Sequence, residues 1–127
     1  MQFVKTVQLQ GDSDKYSISP DIKRYTLIDL GFEETKRGNF EYVGSVDTDN
    51  PFNPVAKLRI LISADLTGFK METVTGNGMR KINIFTHPRA KEFVEQYHFI
   101  LKEMLKRNVF LVRQIAINNL NKFSDVD

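Results

Sequence analysis

The chain has 127 residues, of which 41% are apolar and 27% charged, a balance that fits a globular domain and excludes a disordered or collagen-like chain. It has no cysteine, which excludes a disulfide framework, a thiolate metal site and a cysteine nucleophile. Eighteen Lys+Arg face 16 Asp+Glu for a formal charge of +2, and the basic pairs Lys23/Arg24, Lys36/Arg37, Arg80/Lys81 and Lys106/Arg107 are scattered among acids, so no basic tract identifies a nucleic-acid ligand.

A length of 127 residues predicts a single domain over 1–127, with 110–127 as a C-terminal extension. The opening "MQFVKTVQLQGDSD" has no basic segment followed by a long apolar one, and no apolar run approaches membrane-spanning length. A cytoplasmic location without a membrane partner is expected.

In chain order, "FVKTVQL" alternates Phe3, Val7 and Leu9 against Val4, Thr6 and Gln8, which predicts a strand ending at Gly11 and Asp12. In "SISPDIKRYTLIDLGF", Ser19 is a suitable N-cap, Pro20 suits the first helical position and Gly31 the left-handed stop, so a helix over about 20–30 is expected, with Phe32 folding back onto it. "FEETKRGNFEYV" predicts a hairpin turning at Lys36-Arg37-Gly38-Asn39, and "DTDNPFNP" (47–54) a long loop. "VAKLRILIS" alternates Leu58, Ile60 and Ile62 against Lys57, Arg59 and Leu61, as a strand with one covered face does. "FKMETVTGNGMRKINIF" predicts a second hairpin turning at Gly76-Asn77-Gly78. Phe69, Met71, Ile82 and Ile84 point inward in that reading, and Lys70, Glu72, Val74, Lys81, Asn83 and Phe85 outward. Finally, Ala90, Phe93, Val94, Tyr97, Ile100, Leu101, Met104 and Leu105 lie on one face of a long helix that Thr86 caps and Asn108 stops. The remainder, "VFLVRQIAINNLNKF", reads either as a helix lined by Val112, Ala116, Leu120 and Phe123 or as a strand over "VFLV".

Chemistry-bearing patterns are few. Glu95 and His98 have the Glu-x-x-His spacing of half a di-iron site, but the chain offers no second pair. His87 lies about 16 Å from His98 along a helix axis, too far to share an ion. His98 therefore reads as a boundary histidine with a structural hydrogen bond. His87, at a strand-to-helix junction with Thr86 and Arg89, reads either as an anion contact or as part of an exposed helix cap. No metal site, cofactor or catalytic set is expected, and an enzyme is the weaker reading, since His87 has no visible nucleophile or cofactor motif beside it.

One amphipathic helix and one short one cover a single side of a sheet of five to six strands. The outward set Val43, Lys57, Arg59, Leu61, Lys70, Glu72, Val74, Lys81, Asn83 and Phe85 mixes bases and apolar groups with one acid, and Lys57, Arg59, Leu61, Lys70, Lys81, Asn83 and Phe85, with His87 at the junction, are its candidate ligand residues. That mixture suits an anionic ligand with an organic body. The alternative is that the 47–54 loop or the C-terminal segment covers this face.

"SPDIKRYTLIDLGFEETKRGNFEY", "KLRILISADLTGFKM", "INIF" and "LKRNVF" are similar to a family of bacterial proteins, domain of unknown function 1831, whose label points to amino-acid metabolism. The resemblance covers the chain to about Phe110. It implies an α+β fold of TATA-binding-protein-like shape: a curved antiparallel sheet of five to six strands, with a short N-terminal helix and a long C-terminal helix packed on one face. It also implies a small-ligand role, and it carries no catalytic residues over.

The expectation is thus a ligand-binding or accessory protein that holds a small anionic metabolite, such as an amino acid or a derivative. The alternatives are a nucleic-acid-binding module using the same face, which the weak net charge disfavours, and a protein-protein adaptor or homodimer formed through residues 109–123.

Overall fold

The computed structural model describes residues 2–114. Its elements in order are β1 (Thr6–Val7), β2 (Asp14–Ile18), α1 (Arg24–Asp29), β3 (Glu33–Glu34), β4 (Phe40–Ser45), β5 (Ala56–Ile62), β6 (Phe69–Thr75), α2 (Ala90–Lys106) and β7 (Phe110–Gln114). The architecture is α+β, with antiparallel pairing throughout: a three-stranded sheet ordered β1-β2-β7 and a four-stranded sheet ordered β3-β4-β5-β6. Val4 ties the sheets together, since it bridges Phe69 of β6 by two backbone hydrogen bonds of 3.0 and 2.8 Å.

Alternation does the expected work in β5, where Ala56, Leu58, Ile60 and Ile62 are buried while Lys57, Arg59 and Leu61 are half-buried. The buried set shares one core with Phe93, Tyr97, Ile100, Leu101 and Met104 of α2 and with Leu27 of α1. Each fully buried large side chain contributes at most about 1.5 to 3 kcal/mol, so the α2 stripe is the main burial that holds the inner face.

Both helices stop as anticipated. Gly31 (φ 100°) follows α1, with Phe32 N–H donating to Leu27 O and Gly31 N–H to Ile28 O. Asn108 (φ 61°) follows α2, with Val109 N–H donating to Met104 O and Asn108 N–H to Leu105 O. These paired bonds are the left-handed terminators that satisfy the last helical carbonyls.

Several expectations need correction. The strands form two sheets rather than one of five to six strands, because β2, which the sequence reading passed over, pairs with both β1 and β7. The helix expected over 20–30 is only Arg24–Asp29. Ser19 instead closes a turn before it, its Oγ accepting from Asp21 N–H at 3.1 Å. Thr86 does not cap α2; the N-cap position is Arg89, without a side-chain cap. The return arm of the second hairpin is no regular strand but an isolated Val74–Lys81 bridge, and two residues expected to point outward turn to the core: Val74 is buried, and the Phe85 ring packs on Tyr97 of α2 with centroids 5.9 Å apart. "FLV" of "VFLV" lies in strand β7, so the helical alternative fails at Val112; Ala116, Leu120 and Phe123 lie outside the described residues. Among the described residues, no helix is long and apolar enough to cross a membrane.

Candidate functional site

Six of the eight expected ligand residues fall into two adjoining hollows. On β5 and β6 the register sets Arg59 opposite Glu72 and Leu61 opposite Lys70. Arg59, Leu61, Lys70 and Glu72 line a hollow of about 170 Å³. Lys81, Asn83 and Phe85 line a larger one of about 280 Å³, together with Glu72 and the Gln8–Gln10 segment. Glu72 belongs to both. The bases are not equivalent: Arg59 Nε donates to Glu41 at 3.0 Å and its Nη1 lies 3.8 Å from Glu72, while Lys70 Nζ sits 4.7 Å above the Phe3 ring. Lys57 faces Ser45 and Val74 across the sheet and lines neither hollow.

His87 stands apart from this face. Its Nδ1 accepts the Arg89 N–H at 3.0 Å and its ring packs on Phe93 with centroids 4.9 Å apart. The anion-binding potential of the junction is met from within the chain, because Arg89 holds Asp47 at 2.7 Å, Asp49 at 3.4 Å and also Glu92. Asp47 is fully buried and accepts the Val55 N–H as well, which fastens the 47–54 loop to the start of α2. The Arg89 guanidinium holds its carboxyl down at about 2 against the cost of burial.

A third constellation went unseen in the sequence. Asp12, in the turn before β2, and Asp14 and Tyr16 on β2 meet Tyr97 and His98 on α2. Tyr97 Oη donates to Asp12 Oδ2 at 2.7 Å, Asp14 N–H donates to Asp12 Oδ1 at 3.1 Å, and Tyr16 Oη donates to Asp14 Oδ2 at 3.3 Å. His98 Nε2 lies 3.3 Å from Asp12 Oδ1 and 3.6 Å from Asp14 Oδ2. His98 is thus the hydrogen-bonded boundary histidine that its position suggested, but its partners are carboxylates. Burial raises the Asp12 carboxyl, yet the hydrogen bonds from His98, Tyr97 and Asp14 N–H outweigh it and leave it below its ordinary value. Burial and then the Asp12 charge push Asp14 up, and the Asp12 hydrogen bond raises His98 against its own burial. Asp12, Asp14 and His98 are the one set among the described residues with the composition and closeness to hold a metal ion.

The family model DUF1831, described as "Putative amino acid metabolism", matches residues 1–111. The crystal structure of a DUF1831 family protein from Lactobacillus plantarum is similar to this chain at 42% identity and a TM-score of 0.82, over 89% of this chain and 99% of that one. No curated protein matches the chain.

Proposed function

The chain belongs to the DUF1831 family, and from that premise we propose that it is a cytoplasmic, non-catalytic protein that binds an amino acid or a close derivative on the outer face of β5 and β6. The observation that carries this reading is the shared lining of the two hollows by Glu72. A lone anion would not need that carboxylate, whereas an α-amino acid needs one for its ammonium and a base for its carboxylate. Lys81 and Asn83 flank Glu72 on one side and Lys70 on the other, and Leu61 and the exposed part of Phe85, whose ring otherwise packs on Tyr97, offer apolar surface for the side chain. Arg59, already paired to Glu41, shapes the site more than it binds charge. Lys57 and His87 have no place in it. The bridge from Val4 to Phe69 also supports the TATA-binding-protein-like arrangement, with the two sheets acting as one curved surface.

The test is a thermal-shift screen of the purified chain against the amino acids, their 2-oxo acid analogues, nucleotides and a short oligonucleotide, at low and high salt. A ligand at a hundred times its Kd adds about 2.7 kcal/mol, which raises the midpoint of a domain this size by roughly several degrees. A salt-tolerant shift with one class of amino acid supports the reading. A shift confined to the oligonucleotide and lost in salt replaces it with nucleic-acid binding, and no shift across the panel removes it.

A further inference from the structure

We propose that Asp12 Oδ1, Asp14 Oδ2 and His98 Nε2 form a binding site for a divalent transition-metal ion of the Zn²⁺ class. This site neighbours the larger hollow, whose Phe85 ring packs near His98, but does not depend on the amino-acid reading.

The first argument is spacing. The three ligand atoms lie within 4.8 Å of one another, with His98 Nε2 3.3 Å from one oxygen and 3.6 Å from the other. Charge-assisted hydrogen bonds between nitrogen and carboxylate settle shorter, at about 2.7 to 2.9 Å. Donors bound at about 2.0 to 2.1 Å in a tetrahedron around one ion stand about 3.3 to 3.4 Å apart. The two nitrogen–oxygen distances are therefore close to the spacing of ligands around a common centre.

Charge points the same way. The Asp12 side chain is fully buried and that of Asp14 is 12% exposed, and among the described residues His98 is the only side-chain cation within 4.0 Å of either. Two carboxylates so placed carry more negative charge than one imidazole can offset, whereas a dication with neutral imidazole neutralises them.

The ligands are also held firmly. They come from the turn before β2, from β2 itself and from α2, and Tyr97 engages the second oxygen of Asp12, as outer-shell groups do for metal-bound carboxylates. His98, 38% exposed, gives the ion a way in from solvent. One imidazole with two carboxylates and no thiolate selects against Cu(I), and the imidazole selects against Mg²⁺ and Ca²⁺, which prefer oxygen alone.

The experiment is isothermal titration of the untagged, chelator-treated chain with ZnCl₂, alongside the same titration of His98→Gln, Asp14→Asn and, as a control away from the site, His87→Gln. Circular dichroism confirms that each variant is folded. One equivalent of Zn²⁺ should bind the wild type and His87→Gln alike, with affinity reduced at least a hundredfold in the other two. Titration of the wild type with Co²⁺ gives a readout independent of variant folding: a four-coordinate site develops intense visible absorption, and Zn²⁺ abolishes it. Failure of the wild type to bind, or equal affinity in all variants, overturns the proposal and leaves the cluster as a hydrogen-bonded structural network.

Discussion

Tyr97 and Asp12 stand 85 residues apart in the chain, and the tyrosine hydroxyl donates to the aspartate Oδ2 at 2.7 Å in the interior. The bond joins the turn before β2 to the middle of α2, and both side chains are buried. Tyr97→Phe keeps the ring in the core and removes only the donor. A buried carboxylate deprived of a partner costs about 1 to 3 kcal/mol, so the unfolding free energy should fall by that amount, lowering the urea midpoint with an unchanged slope. An unaltered midpoint would show that Asp12 finds a replacement donor in water.

A different carboxylate, Asp47, should couple stability to acid. Asp47 titrates at about 2 in the folded chain because Arg89 holds it, against about 3.9 when unfolded. Its folded-state pKa is depressed, so its stabilisation is complete above the unfolded value and is lost as pH falls through the folded one. Between about pH 4 and pH 2 the wild type should lose stability that Asp47→Asn does not lose, although the variant starts lower at pH 7. Thermal midpoints recorded down that range for both proteins check this; parallel curves would mean that Arg89 does not hold Asp47 in solution.

The two glycines of the second turn have different jobs, and their substitutions should separate. Gly78 has φ 75° and an open surround, so Gly78→Ala costs about 1 to 2 kcal/mol in backbone strain alone. Gly76 donates its N–H to Val55 O at 3.0 Å, and an added Cβ would run into the Pro54 carbonyl oxygen. Gly76→Ala must push the end of the 47–54 loop away from β6 and should cost more, about 2 to 4 kcal/mol. Chemical denaturation of the pair decides it, and equal losses would contradict the close approach.

The turn also shows what was legible in the sequence. Gly-Asn-Gly predicts a hairpin through positive φ, and that is Gly78; the backbone contact that requires Gly76 involves Pro54 and appears only on folding. The β5 alternation, the α2 stripe and the stops at Gly31 and Asn108 were readable because each depends on neighbours within a few residues. β2 was not, since "DKYSI" is short and polar and becomes a strand by pairing with β1 and β7 on both sides. The same distance hid the acidic cluster. Asp12 and His98 are 86 residues apart, and no local spacing links a turn aspartate to a helix histidine. Of the predicted ligand residues, Arg59, Leu61 and Lys70 come together because the β5–β6 register places them, and Lys81, Asn83 and Phe85 through the Val74–Lys81 bridge; Lys57 lies too far along β5, and His87 is taken up by Arg89 N–H and Phe93 just before α2.

The amino-acid reading makes a prediction that a simple anion site does not share. If Glu72 receives the ammonium of the ligand, Glu72→Gln should weaken binding of an apolar L-amino acid such as leucine while leaving its 2-oxo acid analogue, which has no ammonium, unaffected or improved. Lys81→Ala should weaken both, because both carry the carboxylate. A charge-assisted hydrogen bond is worth about 1.5 to 3 kcal/mol, so each loss should be about tenfold or more. Arg59→Ala should have the smaller effect of removing a group already engaged with Glu41. Titrations followed by amide chemical shifts on β6 and the 80–85 arm read affinity and place together. Equal losses for leucine and its oxo acid in Glu72→Gln would remove the ammonium contact, and shifts confined to another surface would move the site off this face.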